Sequence, residues 1–173
     1  MARCGWPRAE ARAMGIDPLD QARFREVLGH FASGVTVVTA MEGEVPVGFT
    51  CQSFTSLSLD PPLVGLAPAK ASTSWPRIAE AGAFAVNILE SRQEDLCREF
   101  AVSGGDKFTG VAWELGEAGT PILDGVLAWV ECRLEFVHDA GDHELVIGRL
   151  LHMGIGGGEP LVFYRGGFGG FGA

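Results

Sequence analysis

Lysine is scarce in this chain of 173 residues: only Lys70 and Lys107 occur, and the other basic side chains are arginines and four histidines. Acidic side chains outnumber Lys and Arg by 22 to 13, which leaves a formal charge of −9. A nucleic-acid backbone is gripped through a basic face, so this balance argues against that class of partner. A small anion still has somewhere to bind if the few cations are gathered locally. Long apolar runs are also missing. No segment reaches the length of a membrane span. The opening "MARCGWPRAEARAMG" carries arginines but no apolar stretch of the kind a signal peptide needs. Cys4, Cys51, Cys97 and Cys132 form no CxxC pair and have no histidine at zinc spacing, which speaks against a structural metal site. GxGxxG after a strand, the P-loop, GxSxG and HExxH are all absent, so the signatures of a Rossmann site, a nucleotide phosphate cradle, a serine hydrolase and a zinc protease are missing.

What is present is a chain of one domain's length with 47 % hydrophobic residues, enough to build a core and too many for a disordered segment. Scattered single cysteines act as small buried hydrophobes in a reducing compartment. The expectation is therefore a cytoplasmic protein with no membrane contact. Residues 1–15 read as a loose tail, residues 16–168 as the domain, and residues 169–173 as a glycine-rich end.

In "DPLDQARFREVLGHF", Asp17 is a candidate helix N-cap and Pro18 the first helical position. Phe24, Val27, Leu28 and Phe31 recur at helical spacing, which predicts one face packed on a core. "GVTVVTAM" and "PVGFTCQSF" read as strands joined by Glu42-Gly43-Glu44. "LVGLA" and "AFAVNIL" are further strands, with a short helix in "STSWPRIAEAG" closed by Gly82. Ser91 and Glu94 have the spacing of a capping box before "EDLCREFA". "VLAWVECRLEFVH" and "HELVIGRLLHM" flank "DAGD", a hairpin signal. "PLVFYRG" is a last strand. Many strands with no regular βαβ alternation predict a mainly β, Greek-key-like antiparallel barrel with short peripheral helices.

Three places invite chemistry. "TCQSFTSLSLDPPLVGLAP", residues 50–68, crowds small hydroxyls and an amide against an apolar run, as a hydroxyl-rich turn or a cradle for a flat polar ligand would. Lys70 lies beside the hydroxyls of "AKASTSW" and Lys107 in the glycine loop "GGDKF"; either is a surface lysine or a phosphate contact near exposed N–H groups. His138 and His143 flank one hairpin turn, but no third ligand completes a metal set.

"ASGVTVVTA", "GFTCQSFTSLSLDPPLV", "KASTSW", "FAVNIL", "EFA…DKF", "GDHELVIGRL" and "PLVFYRGGF" occur in that order over residues 17–168. This succession resembles the short-chain flavin reductases, the reductase components of two-component flavin-dependent monooxygenases. The wording around "CQSF" and "KASTSW" is most similar to reductases paired with aromatic or steroid-ring hydroxylases. The resemblance implies a split β-barrel homodimer that binds FMN or FAD, oxidises NADH or NADPH, and supplies diffusible reduced flavin to a partner monooxygenase. It further implies that Thr50, Cys51, Gln52, Ser53, Phe54, Thr55, Ser56 and Leu57 line the flavin. Val35, Thr36, Val37, Lys70, Ser72, Phe100, Ala101 and Lys107 match positions around the same ligand. His143 and the segment Tyr164, Arg165 and Gly166 match positions associated with the nicotinamide nucleotide. Many relatives carry Ala-Asn where this chain has Cys51-Gln52. Two other classes share the fold: a flavin-storage module without activity, and an FMN-dependent oxidase of the pyridoxamine-phosphate-oxidase type.

Overall fold

The computed structural model describes residues 20–171. Seven strands form one sheet in the order β3 (Val45–Cys51), β2 (Thr36–Glu42), β6 (Ala83–Ile88), β9 (Ala128–Ala140), β10 (His143–Ile155), β5 (Pro62–Leu66) and β4 (Thr55–Leu59). Every neighbouring pair is antiparallel. β3 and β4 follow one another in sequence yet occupy opposite edges of the sheet, with only Gln52, Ser53 and Phe54 between them. Three residues reach about 10 Å, so the sheet must curl until its edges nearly meet. It does not close. The architecture is a mainly β antiparallel barrel, as the strand-rich pattern predicted, and it is split, as the family resemblance implied.

The curled sheet wraps a core in which Leu66, Ile78 and Phe84 are fully buried and Trp75 nearly so. Each such side chain is worth roughly 1.5–3 kcal/mol relative to leaving it in water. Helix α2 (Trp75–Ala81) plugs one end and stops at Gly82, whose φ of 74° is left-handed. A second core holds Val35, Val37, Leu89, Phe100 and Leu161 beneath helix α3 (Glu94–Ala101). There β1 (Ser33–Gly34), β11 (Leu161–Tyr164) and β12 (Gly167–Gly170) form a small sheet. A ribbon of β7 (Trp113–Leu115) and β8 (Pro121–Leu123) is fastened to the barrel by buried polar groups. Asn87 Oδ1 accepts the Leu123 N–H at 2.9 Å, and the Glu131 carboxylate accepts from the Ala118 N–H at 3.0 Å and the Thr120 hydroxyl at 2.7 Å. Among the described residues no buried side-chain nitrogen or oxygen lacks a partner.

Several local expectations change. Asp17 and Pro18 lie outside the described residues; within them, Asp20 caps helix α1 (Gln21–Leu28) through the N–H groups of Ala22 and Arg23. The apolar face of α1 does not pack on this chain's core: Phe24, Val27 and Leu28 are each more than half exposed and Phe31 is 82 % exposed. The Ser91–Glu94 capping box does not form. The helix starts at Glu94 with Gln93 at the N-cap and no side-chain cap bond; Gln93 Oε1 accepts the Glu90 N–H at 2.9 Å, while Glu94 pairs with Arg98. Part of the segment read as a hydroxyl-rich turn or cradle is a strand, β4, paired with β5. The glycine-rich end stays in the small sheet through Gly170, after a turn in which Arg165 (φ 49°) and Gly166 (φ 82°) are both left-handed.

Candidate active site

A cleft of about 600 Å³ opens beside the seam of the barrel. One wall is the end of β3 and the C-terminal turn of α3, presenting Phe49, Thr50, Cys51, Phe100 and Ala101. The other is the loop from Ala67 to Ser74, with His143 at the rim. The walls are tied by the protein's own hydroxyls. Ser53 Oγ accepts the Ala67 N–H at 2.7 Å and lies 3.2 Å from the Ala67 carbonyl, so one side chain bridges the seam as a strand pair would. Thr50 Oγ1 donates to the Cys97 carbonyl at 2.6 Å and fixes α3 on β3. Thr36 Oγ1 donates to the Cys51 carbonyl at 2.7 Å. The Cys51 thiol, 3.2 Å from Ser53 Oγ, is pushed up from its ordinary range by burial, so it stays a neutral side chain and not a nucleophile.

Lys107 is not a surface lysine. It is 8 % exposed, and its ammonium donates to the carbonyls of Gly48 and Phe100 at 3.1 Å each, with Ser74 Oγ at 3.4 Å. Among the described residues no carboxylate pairs with it. Burial holds its pKa below the usual lysine range. It joins β3, the last turn of α3 and the start of α2, three elements that line the cleft. A cation on the terminal carbonyls of a helix also opposes the helix dipole. Gly48 is required here, because a Cβ would stand 2.7 Å from the Phe100 ring.

Lys70 faces elsewhere. Its ammonium forms an ion pair with Asp139 and donates to the Gly141 carbonyl at 2.7 Å, both at the tip of the β9–β10 hairpin. It does not line the cleft. Of the other predicted site residues, Thr50, Cys51, Gln52, Ser53, Ser72, Phe100, Ala101, Lys107 and His143 come together there. Val35, Thr36 and Val37 lie buried behind it as support for β3. Phe54, Thr55, Ser56 and Leu57 run along the linker and edge strand β4 and do not line the cleft. Arg165 and Gly166 line a neighbouring cleft of about 650 Å³ with Phe24 and Phe31, and Gln52 borders both. Tyr164 stands near it, its ring edge-on to His30. Thr73, Ser74 and Ser103 line the first cleft as well; the run of hydroxyls "STS" was the available signal for the first two.

The sequence matches the flavin reductase like domain over residues 28–172. The chain belongs to the flavin reductase family. It is 46 % identical over 167 residues to a flavin reductase of Pseudomonas putida, covering 95 % of this chain and 96 % of that one. It is 47 % identical over 155 residues to HsaB of Rhodococcus jostii, the reductase subunit of a flavin-dependent monooxygenase, covering 89 % and 80 % of the two chains. Among solved structures, the NADH:FAD oxidoreductase SgcE6 of Streptomyces globisporus, in complex with NAD and FAD fragments, superposes with a TM-score of 0.86 at 38 % identity, covering 91 % and 96 %. As a flavin reductase family member, this chain has a cleft whose size and mixed lining suit a cofactor with a flat ring and a polar edge. Phe49 offers apolar surface, backed by the fully buried Phe100, Gln52 and Ser72 to Ser74 offer polar groups, and Gln52 makes no side-chain hydrogen bond among the described residues.

Proposed function

We propose that the protein is an NAD(P)H:flavin oxidoreductase that takes FMN or FAD into the cleft between β3 and the Ala67–Ser74 loop and serves a partner monooxygenase with reduced flavin. The observation that carries the reading is the cleft itself. It brings together the family's ordered motifs at the end of β3, at "STS" and at His143. A bound flavin supplies the acceptor for a hydride from reduced nicotinamide, and that reactivity is the cofactor's own. The chain's part is to hold two rings at contact distance and in order. Thr50 and Ser53 keep the walls at a set spacing while their own hydroxyls are engaged by protein, which leaves Gln52, Thr73 and nearby backbone groups to meet a polar edge. His143, at the rim, orients the nicotinamide. Its Nδ1 is 2.7 Å from the Asp142 carboxylate, which fixes the ring's direction.

The open cleft, whose one ammonium among the described lining residues, Lys107, is engaged by the Gly48 and Phe100 carbonyls, supports a flavin that is exchanged and not kept. The same holds for a homodimer: the exposed apolar face of α1 and the exposed Leu151, Met153 and Ile155 on β10 are surfaces that a second copy would cover. Among the described residues no helix is long and apolar enough to cross a membrane. Cys51, Cys97 and Cys132 are free and buried, which supports a reducing, cytoplasmic setting. The test is oxidation of NADH or NADPH by the purified protein with added FMN, FAD or riboflavin. Turnover that needs added flavin, and flavin that leaves on gel filtration, are the expected results. Flavin that binds without any nicotinamide oxidation would make the protein a carrier. The His143→Ala variant should raise the KM for the nicotinamide several-fold with little change in flavin affinity; an unchanged KM removes His143 from the site.

A further inference from the structure

The loop that forms the outer wall of the cleft has no helix or strand of its own until Trp75, and it is held from outside. The Lys70 N–H donates to the Asp142 carbonyl and the Glu144 N–H to the Pro68 carbonyl, both at 3.0 Å, around an isolated bridge between Ala69 and His143. The Trp75 indole N–H donates to Glu144 at 2.5 Å. At the very tip, Asp139 Oδ1 accepts the Gly141 N–H at 3.3 Å and its other oxygen takes the Lys70 ammonium. The same ammonium donates to the Gly141 carbonyl. Asp139, Gly141 and Lys70 thus form a closed ring of contacts two residues from His143, and Lys70 is the only member that comes from the loop.

We propose that Lys70 is a positioning residue for the nicotinamide side of the reaction and not a phosphate contact: it clasps the hairpin tip to the loop so that His143 faces the cleft. This rests on the reading of His143 given above. The ammonium is already engaged by a carboxylate and a carbonyl, its side chain is outside the cleft lining, and each group it touches belongs to the hairpin that carries His143. A phosphate ligand would need the ammonium directed inward. A clasp needs what is seen, a charge with one partner in the side chain and one in the backbone of the turn.

The experiment uses the whole protein and four variants, Lys70→Met, Lys70→Arg, Asp139→Asn and the Lys70→Met/Asp139→Asn double, with His143→Ala as reference. Steady-state rates are taken with NADH or NADPH, whichever turns over faster. Flavin affinity is read from quenching of FMN and FAD fluorescence at low and high salt. An exposed ion pair sets the scale, so Lys70→Met and Asp139→Asn should each raise the nicotinamide KM about two- to fivefold. The double variant should go no further, because the two side chains act as one unit. Lys70→Arg should restore most of the loss. Flavin affinity should change less than about twofold at either salt. A fall in flavin affinity that is steep at low salt and vanishes at high salt, with the nicotinamide KM unmoved, would make Lys70 a phosphate ligand and overturn the proposal. If His143→Ala raises the KM but neither clasp variant does, the tip holds itself and the proposal fails while the nicotinamide reading stands. If His143→Ala also leaves the KM unmoved, both fail together.

Discussion

The two lysines mark two ways of building the same cleft. Lys107 lies under the floor, buried among neutral oxygens of β3, α3 and Ser74. Lys70 lies on the rim, about 39 % exposed in its side chain and paired with an exposed carboxylate. Burial makes the floor's contacts strong and its cation costly; water makes the rim's ion pair weak and cheap to rearrange. The floor is where a binding surface has to keep its shape. The rim is where a nicotinamide must arrive and leave on every turnover, and a weakly held clasp suits that traffic.

Breaking the floor should give the largest effect. Phe100 is fully buried and packs behind the cleft lining, in edge contact with Phe108 at 5.0 Å between centroids. Phe100→Ala should cost about 3–5 kcal/mol of stability by urea unfolding and lower flavin affinity as the wall collapses. Stability within about 1 kcal/mol of wild type would show that the floor is not built on this ring.

Next comes Lys107→Met, which leaves the Gly48 and Phe100 carbonyls without their donor and should cost about 2 kcal/mol. Its pH dependence sharpens the contrast. Lys107 titrates in the folded protein below its ordinary value of 10.5, so between the two values the unfolded chain holds more protons and stability rises with pH. The advantage of wild type over Lys107→Met should therefore grow as alkaline pH approaches 10.5. A constant difference across that window would mean that the lysine is not desolvated in solution.

The rim should respond least, and its pH dependence should lie in acid instead of in alkali. Lys70→Met should lower the thermal midpoint by about 2 °C or less. Asp139 is held below its ordinary 3.8 by the hydrogen bond from Lys70, so the pair's contribution is present above 3.8 and is lost as pH falls through the lower, folded value. Wild type and Lys70→Met should converge in acid. A gap that persists there would place Lys70's contribution in the Gly141 carbonyl and not in the carboxylate.

How far this was legible depends on the range over which each feature is set. Alternating apolar residues and the "DAGD" turn announced the β9–β10 hairpin, and Gly82 announced the end of α2, because these depend on neighbours in the chain. The capping box failed because its groups are engaged elsewhere: the Ser91 N–H donates to the Glu159 carbonyl and the Ser91 hydroxyl to the Glu90 carboxylate, both at 2.8 Å, and Glu94 pairs with Arg98. β4 does not show as a strand in the sequence because its hydroxyl-rich run reads as a turn, and its partner β5 opens on Pro62, next to Pro61, which hides the hairpin. The exposed face of α1 carries a helical pattern that fits a core, but none of the described residues covers it.

By itself the sequence determined the strand-rich, antiparallel class, the ordered family motifs and the short list of polar residues from which a site could be drawn. Only the tertiary structure decided which of them share a cleft, and that Lys107 is a buried tie while Lys70 clasps a hairpin. The physical reason is distance along the chain. Lys107 meets Gly48 across 59 residues and Lys70 meets Asp139 across 69, and a side chain's burial and charge partner are properties of those encounters, not of its neighbours in sequence.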